Sequence, residues 1–219
     1  MEHTSIEPVT NRTKFQSPTG STVPAPPRLT LEPWRSPEST YLFPSLYSFP
    51  AFFTRQPNPS VWQHQLSQWI NLILSYCRHT RRSTLNLSLA TVTDLELFHH
   101  RRIHRSLSLE TLRAITDAMR AMNPPTIEPV SKSNPNEVYV YWKTPSEWAS
   151  TIYDWIRETG QQNSILTFYE LTQDSPIESL EFYNLPEGLL RKALDILTKQ
   201  GKCSILKGIG EQGDGVKFV

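Results

Sequence analysis

Prolines crowd the beginning of this chain, and their positions limit where regular structure can form. Of the 18 prolines, 11 lie within residues 1–60 and the other seven are spread over 61–219. Proline lacks a backbone N–H and its ring clashes with the preceding helical turn, so it interrupts helices and central strands. The distribution predicts a first segment that is extended or unstructured, followed by a folded body of about 160–175 residues.

Residues 1–40 combine seven prolines with twelve serines and threonines, and Phe15 and Trp34 are their only aromatic residues. Such a segment buries too little apolar surface to offset the entropy that is lost on ordering. We therefore predict a disordered leader over residues 1–40. Its Pro24–Pro27 run favours polyproline geometry, and a plain linker explains it more simply than an SH3 ligand does.

Residues 41–53, which we call the Pro-aromatic strip, hold six aromatic residues. Pro44 and Pro50 lie among them and argue against a helix or a central strand. Aromatic side chains on extended backbone supply the large buried areas that dominate protein interfaces. Two interpretations are open from these residues alone: the strip docks on a partner protein, or it covers the core of its own domain.

The rest of the chain shows one order of elements twice: helix, strand, helix, helix, strand, strand. In the first copy, a helix is predicted to start near Asn58-Pro59, with apolar residues at helical spacing from Trp62 to Cys77. A weaker helix is predicted over 90–98, and Ser108 caps a third helix. In the second copy, Thr144–Glu147 and Thr167–Glu170 are capping boxes, and a third helix runs from Pro186 to Gly201. Short strands are predicted at 85–87, 127–130, 138–142, 165–166, 203–206 and 216–219.

This order is typical of the winged helix, a helix-turn-helix followed by a β-hairpin. The predicted fold class is therefore α+β and helix-rich. It consists of two tandem winged-helix domains, over residues 41–143 and 144–219, preceded by the disordered Pro/Ser/Thr-rich leader. Trp142 and Trp148 lie at the boundary, which predicts a packed junction and not a flexible tether.

Charge and cysteine content exclude several classes of protein. The net charge is +1, so no overall positive charge attracts the chain to nucleic acid or anionic lipid. Cys77 and Cys203 are the only cysteines and do not make a disulfide framework. The most apolar segment, Trp69–Cys77, is too short to span a bilayer, and no signal-peptide core is present. We expect a soluble, intracellular protein.

The sequence contains weak signals for ligand binding. Gly208–Gly213 reads G-x-G-x-x-G, but too little chain follows for a nucleotide-binding βαβ unit, so a hairpin tip is predicted. The histidines near Cys77 have no metal-site spacing, and we interpret them as exposed polar loops. They are His79, His99, His100 and His104. We predict no catalytic residue, no cofactor and no metal.

DNA binding is the alternative function, because winged helices often read DNA through their third helix. Residues 78–105 carry six arginines against Asp94 and Glu96. The predicted third helices, however, mix basic and acidic residues and lack the cationic face that duplex binding needs. We favour a solvated loop face for 78–105 and expect no nucleic-acid partner.

Several motifs together resemble one family. Tyr47–Asn58 reads YSFPAFFTRQPN and resembles the opening signature of the small subunit of ESCRT-II, an endosomal sorting complex. The likeness continues through later motifs and covers about residues 43–219. These motifs are Glu147–Trp148, Ile152–Trp155, Gly160–Ser164, Tyr169–Leu171 and Gly215–Phe218.

The resemblance implies a non-catalytic adaptor that is present in two copies per complex. In the family, motifs of the P-P-x-Y type dock on the winged helices of the two larger subunits. By position these residues are Pro44, Tyr47, Pro50, Phe52 and Phe53, with Ser45 and Ala51 where a second proline is common. The second winged helix, within 144–219, is expected to recruit the first ESCRT-III subunit through residues that the sequence does not identify.

The resemblance also implies a place in the cell. The expected function is ubiquitin-dependent sorting of membrane cargo into multivesicular bodies. A cytoplasmic protein is then recruited to the endosome membrane through its complex. Membrane contact is expected to be indirect only.

Overall fold

The computed structural model describes residues 33–35, 39–174, 177–208 and 213–219. They belong to one compact unit of mixed helices and strands. The helices are α1 Pro59–His79, α2 Leu89–Asp94, α3 Leu109–Ala121, α4 Pro145–Glu158, α5 Phe168–Thr172 and α6 Glu187–Lys199. The strands are β1 Trp34–Arg35, β2 Leu42–Phe43, β3 Thr84–Asn86, β4 His99–His100, β5 Arg105–Ser106, β6 Ile127–Pro129, β7 Glu137–Val140, β8 Ile165–Thr167, β9 Cys203–Leu206 and β10 Gly215–Phe218.

Helix starts follow from capping residues that are visible in the sequence. Asn58 accepts hydrogen bonds from the backbone N–H groups of Ser60 and Val61 at the start of α1. Both predicted capping boxes form, at Thr144 with Glu147 and at Thr167 with Glu170. These side chains satisfy backbone donors that no helical carbonyl can reach, so they fix where each helix begins.

The two halves of the chain repeat one topology. In the first half an antiparallel sheet has the order β3-β7-β6, and in the second half the order is β8-β10-β9. In each sheet the last strand in the chain lies in the middle. Three helices accompany each sheet in the predicted order.

Each half has its own hydrophobic core, and β7 contributes to both cores. Val138 and Val140 face the core of the first half. Tyr139 and Tyr141, which alternate with them, belong to the core of the second half. Successive side chains of a strand point to opposite faces. Strand β7 therefore forms part of the boundary along which the two halves pack.

The junction between the halves is packed, as predicted. The rings of Trp142 and Trp148 meet edge to face with centroids 4.9 Å apart. Trp142 Nε1 donates to the carbonyl oxygen of Arg82 at 3.1 Å. The guanidinium of Arg81 donates to the carbonyl oxygen of Glu178 at 2.9 Å. Some of the basic residues in 78–105 thus bind the second half instead of forming a wholly solvated face.

The segment from 89 to 106 differs from its prediction. Helix α2 ends at Asp94, whereas a helix over 90–98 was predicted, and an unpredicted hairpin of β4 and β5 follows. Thr91, Val92 and Thr93 are β-branched and therefore support a longer helix only weakly. The fully buried Phe98 lies in the first core beyond the end of the helix.

The prediction of a disordered leader is wrong for its last aromatic residue. Trp34 lies on β1, pairs with Phe43 on β2 and is only 8% exposed. Burial of one indole against a preformed aromatic surface overrides the polar composition around it. Residues 1–32 and 36–38 of the predicted leader lie outside the described residues.

Candidate functional site

The Pro-aromatic strip follows a defined path over α1. After β2, Ser45–Ser48 and Pro50–Phe53 form two short 3₁₀ helices. The N–H of Tyr47 donates to the carbonyl oxygen of Pro44 at 2.9 Å, and that of Phe52 donates to Phe49 at 3.0 Å. Each proline stands just before or at the first position of a turn, where its missing N–H costs no hydrogen bond.

Four aromatic side chains of the strip point into the first core: Phe43, Tyr47, Phe52 and Phe53. Tyr47 stacks on Phe43 with ring centroids 4.2 Å apart. Phe52 stacks on Trp69 of α1 at 4.3 Å, and Trp69 Nε1 donates to the carbonyl oxygen of Phe52 at 3.0 Å. For these side chains, the interpretation that the strip covers its own core is correct.

The opposite side of the strip faces outward. Pro44 and Pro50 are exposed, and Leu42 and Phe49 are 54% and 39% exposed. An apolar groove of about 260 Å³ runs beside Phe49 and Val61. A second groove, of about 390 Å³, lies beside Leu42 and Pro44. The exposed residues Leu42, Pro44, Phe49 and Pro50, together with the two grooves beside them, form an apolar surface, which we call the outer face.

His100 is sandwiched beneath the strip. Its ring lies 4.3 Å from Trp34 and 4.9 Å from Tyr47, centroid to centroid, and is fully buried. Neither ring nitrogen has a hydrogen-bond partner within the described part of the chain. Burial lowers the pKa of His100, and the charge of Arg102 lowers it further. The sequence interpretation as an exposed polar loop is therefore wrong for His100.

Acidification is expected to destabilise the fold through His100. Its folded pKa lies below 6.5, so the unfolded chain binds the proton first as the pH falls. The free energy of unfolding should fall below about pH 6.5, by up to about 1.4 kcal/mol per pH unit. The neighbouring charges on Arg102 and His99 also oppose protonation of His100.

Denaturant titrations at pH 7.5 and 5.5 test this expectation, with His100→Phe as the control. Phenylalanine keeps an aromatic ring in the sandwich but has no titrating group. The control should lose less stability between the two pH values than the native chain. Carboxylates with lowered pKa values, such as Glu128 and Glu181, stay ionised in this range and do not confuse the result. Equal losses in both proteins would contradict the assignment.

Residues 46–186 and most of the rest of the chain are similar to proteins of one family. The family model described as ESCRT-II complex subunit matches residues 46–186. Vacuolar protein-sorting-associated protein 25 (VPS25) of Xenopus laevis is 36% identical over 176 residues, 80% of this chain and 97% of the relative. Its namesake from Schizosaccharomyces pombe is 37% identical over 177 residues, with the same coverage. This chain belongs to the VPS25-type subunits of ESCRT-II.

Solved structures of VPS25-type subunits have a similar fold. The crystal structure of VPS25 from the endosomal trafficking complex ESCRT-II matches with a TM-score of 0.68 at 28% identity, covering 80% of this chain and 98% of that one. A chain in the crystal structure of ESCRT-II (VPS22/VPS25/VPS36) gives 0.66 at 27% identity, with the same coverage. The predicted resemblance is confirmed, and the DNA-binding alternative finds no support in these matches.

Membership in the ESCRT-II family does not by itself identify contact residues. Of the five residues predicted for docking, Tyr47, Phe52 and Phe53 are buried in the core, whereas Pro44 and Pro50 lie at the surface. Their role in docking stays a prediction. Leu42 and Phe49 on the outer face were not among the five. Spacing along the sequence could not select them, because the orientation of the two 3₁₀ turns decides which side chains face outward.

Other signals in this VPS25-type chain can now be placed. Both cysteines are buried, and burial raises the pKa of Cys77 to about 12. Within the described ranges, no group of three or more His, Cys, Asp or Glu side chains could hold a metal ion. The middle of the Gly-rich segment, 209–212, is not among the described residues, but it joins two paired antiparallel strands. No helix of the described part is long and apolar enough to cross a membrane.

Proposed function

We propose that this chain is a non-catalytic adaptor of ESCRT-II, built from two tandem winged-helix domains over 41–143 and 144–219. The repeated sheet order, β3-β7-β6 and β8-β10-β9, supports two domains of one kind. The separate cores on either side of β7 support a boundary near residue 144. The packed junction favours a rigid pair, which holds two binding surfaces at a fixed separation.

The outer face of the Pro-aromatic strip is the proposed docking surface for the two larger subunits. One observation carries this proposal: the family match begins at residue 46, within a strip that exposes its prolines, Leu42 and Phe49 while its other aromatics are anchored. The similar complex contains VPS22 and VPS36, which are the partner class proposed here. Because α1 holds the strip in place, docking would cost little ordering entropy.

The anchored residues have a different role from the outward ones. Tyr47, Phe52 and Phe53 would act indirectly, by holding the backbone on which Pro44 and Pro50 are displayed. Gln65 of α1 strengthens this support, since its amide nitrogen donates to the carbonyl oxygen of Phe52 at 2.7 Å. The five residues predicted from sequence thus form one unit, in which two touch the partner and three position them.

We further propose that the second domain recruits the first ESCRT-III subunit, and that two copies of the chain join each complex. Among the described residues of this domain, four large apolar side chains are exposed: Ile165 by 61%, Tyr169 by 62%, Leu206 by 41% and Val219 by 60%. Such side chains support a protein-binding surface on residues 144–219. Two copies would present two such surfaces and raise the local concentration of the recruited subunit at the endosome membrane.

A double variant of the outer face tests the docking proposal. Leu42→Asp with Phe49→Asp places charge on the proposed contact and should weaken binding to the purified larger subunits at least about tenfold. The melting temperature should change little, because both side chains are exposed. Binding is measured by calorimetry or by co-purification of the assembled complex.

Leu89→Asp is the matched control, since Leu89 is 65% exposed at the start of α2 and is not part of the strip or of the lining of its two grooves. It should bind like the native chain. Binding of the first ESCRT-III subunit to the double variant should also be unchanged, because that surface is proposed on the second domain. If the double variant and the control assemble equally well, the outer face is not the docking surface.

A further inference from the structure

Trp34 connects the strip to a part of the chain that the family model does not include. The match to the family model begins at residue 46. The relatives align with 176–179 of the 219 residues of this chain, and almost the whole length of each relative is included. Trp34 lies before that match, yet its indole is only 8% exposed. Because Trp34 is buried within its own chain, the side chains that it contacts show what it supports.

Within the described part of the chain, the ring of Trp34 packs beneath the strip. Its ring centroid is 5.2 Å from Phe43, 5.7 Å from Tyr47 and 4.3 Å from His100. Strand β1 also pairs antiparallel with β2, so that Arg35 lies opposite Leu42. Trp34 therefore closes a stack whose other members set the orientation of the strip.

Thr40 and Tyr41, which lie just before β2, are tied to α1. The hydroxyl of Tyr41 lies 2.6 Å from Ser75 Oγ, and the Thr40 hydroxyl lies 2.8 Å from His79 Nε2. Tyr41 also packs edge to face on Phe43 at 4.8 Å. These contacts hold the chain just before β2 against α1, and β2 is the strand with which Trp34 pairs.

We propose that Trp34 is a positioning residue, an intramolecular clasp that holds the Pro-aromatic strip in the pose that displays Leu42, Pro44 and Phe49. Without the indole, one face of His100 and part of Tyr47 would meet water, and the first 3₁₀ turn would lose its inner support. The expected effect of Trp34 on partner affinity rests on the proposed docking function. Its effect on the pose of the strip does not depend on that function.

Hydrogen exchange in the full-length chain tests the clasp without any partner. In Trp34→Ala, the amides of Tyr47 and Phe49, which bond to Pro44 and Leu46, should exchange about tenfold faster. The amide of Leu112 on α3, which bonds to Ser108, should be unaffected. Trp34→Phe keeps an aromatic ring and should restore most of the protection. Unchanged exchange in Trp34→Ala would overturn the proposal.

The titration of His100 provides a second readout of the contact with Trp34, and the unchanged exchange of the Leu112 amide separates it from a general loosening of the fold. Removing the indole should let water reach the imidazole, so the pKa of His100 should rise toward its ordinary value of 6.5 in Trp34→Ala. Trp34→Phe should leave it low. NMR titration of the ring protons measures this change, and an unmoved pKa in Trp34→Ala would contradict the contact.

Affinity for the purified larger subunits separates the two proposals. Trp34→Ala should weaken binding about tenfold, with recovery in Trp34→Phe. If the variant carrying Leu42→Asp and Phe49→Asp loses binding while Trp34→Ala does not, the docking function stands and the positioning role is overturned. If neither variant loses binding, the docking function fails, and the exchange rates of the Tyr47 and Phe49 amides still decide whether Trp34 is a clasp.

Discussion

Tyr47→Ala is expected to lower the free energy of unfolding by about 3–5 kcal/mol, the usual cost of truncating a buried aromatic side chain. The Tyr47 ring is fully buried, with Phe43 stacked at 4.2 Å and His100 at 4.9 Å. Its hydroxyl donates to the carbonyl oxygen of Glu96. Burial raises the pKa of Tyr47, so the hydroxyl keeps its proton and remains a donor. The variant would leave a cavity in the first core and an unpaired carbonyl.

Denaturant unfolding of the isolated chain measures the loss, with Phe49→Ala as the matched control. Phe49 lies two residues further along the same strip but is 39% exposed, so its truncation should cost less than about 1 kcal/mol. A stable Tyr47→Ala variant would mean that the strip does not belong to the core. If the expected loss is found, weakened assembly of Tyr47→Ala cannot by itself be taken as loss of a direct partner contact.

Gly188→Ala is expected to destabilise the chain by about 1–3 kcal/mol through overpacking, although alanine is usually the better helix residue. Gly188 lies near the start of α6, and a Cβ there would overlap the hydroxyl oxygen of Tyr139. Tyr139 is only 6% exposed on β7, so its ring has little room to move. The missing side chain at 188 therefore lets α6 approach the strand that the two halves share.

A double-mutant cycle with Tyr139→Phe identifies the cause of that loss. Removing the hydroxyl takes away the atom that the new Cβ would meet, so Gly188→Ala should cost much less in the Tyr139→Phe background. The free energy of unfolding of all four proteins is measured under one condition. A penalty of equal size in both backgrounds would contradict the proposed clash and point to the backbone at Gly188 instead.

The local structure of this chain was largely readable from its sequence. Asn58, Thr144 and Thr167 predicted helix starts, because a short polar side chain satisfies the nearby backbone N–H groups without long-range help. The order of helices and strands followed from apolar spacing, which acts over a few residues. The end of α2 was missed, because packing of Phe98 in the first core competes there with weak helix propensity.

The sequence by itself determined that residues 41–53 carry aromatics and prolines that must be buried somewhere, and that the family is ESCRT-II. The tertiary structure decided which of those side chains face the core and which face outward. It also decided that Trp34 and His100, from a polar leader and an Arg/His-rich stretch, meet beneath Tyr47. The reason is physical: a ring is buried by whichever surfaces the fold brings together, and residues so far apart in the chain leave no periodic pattern that would predict their contact.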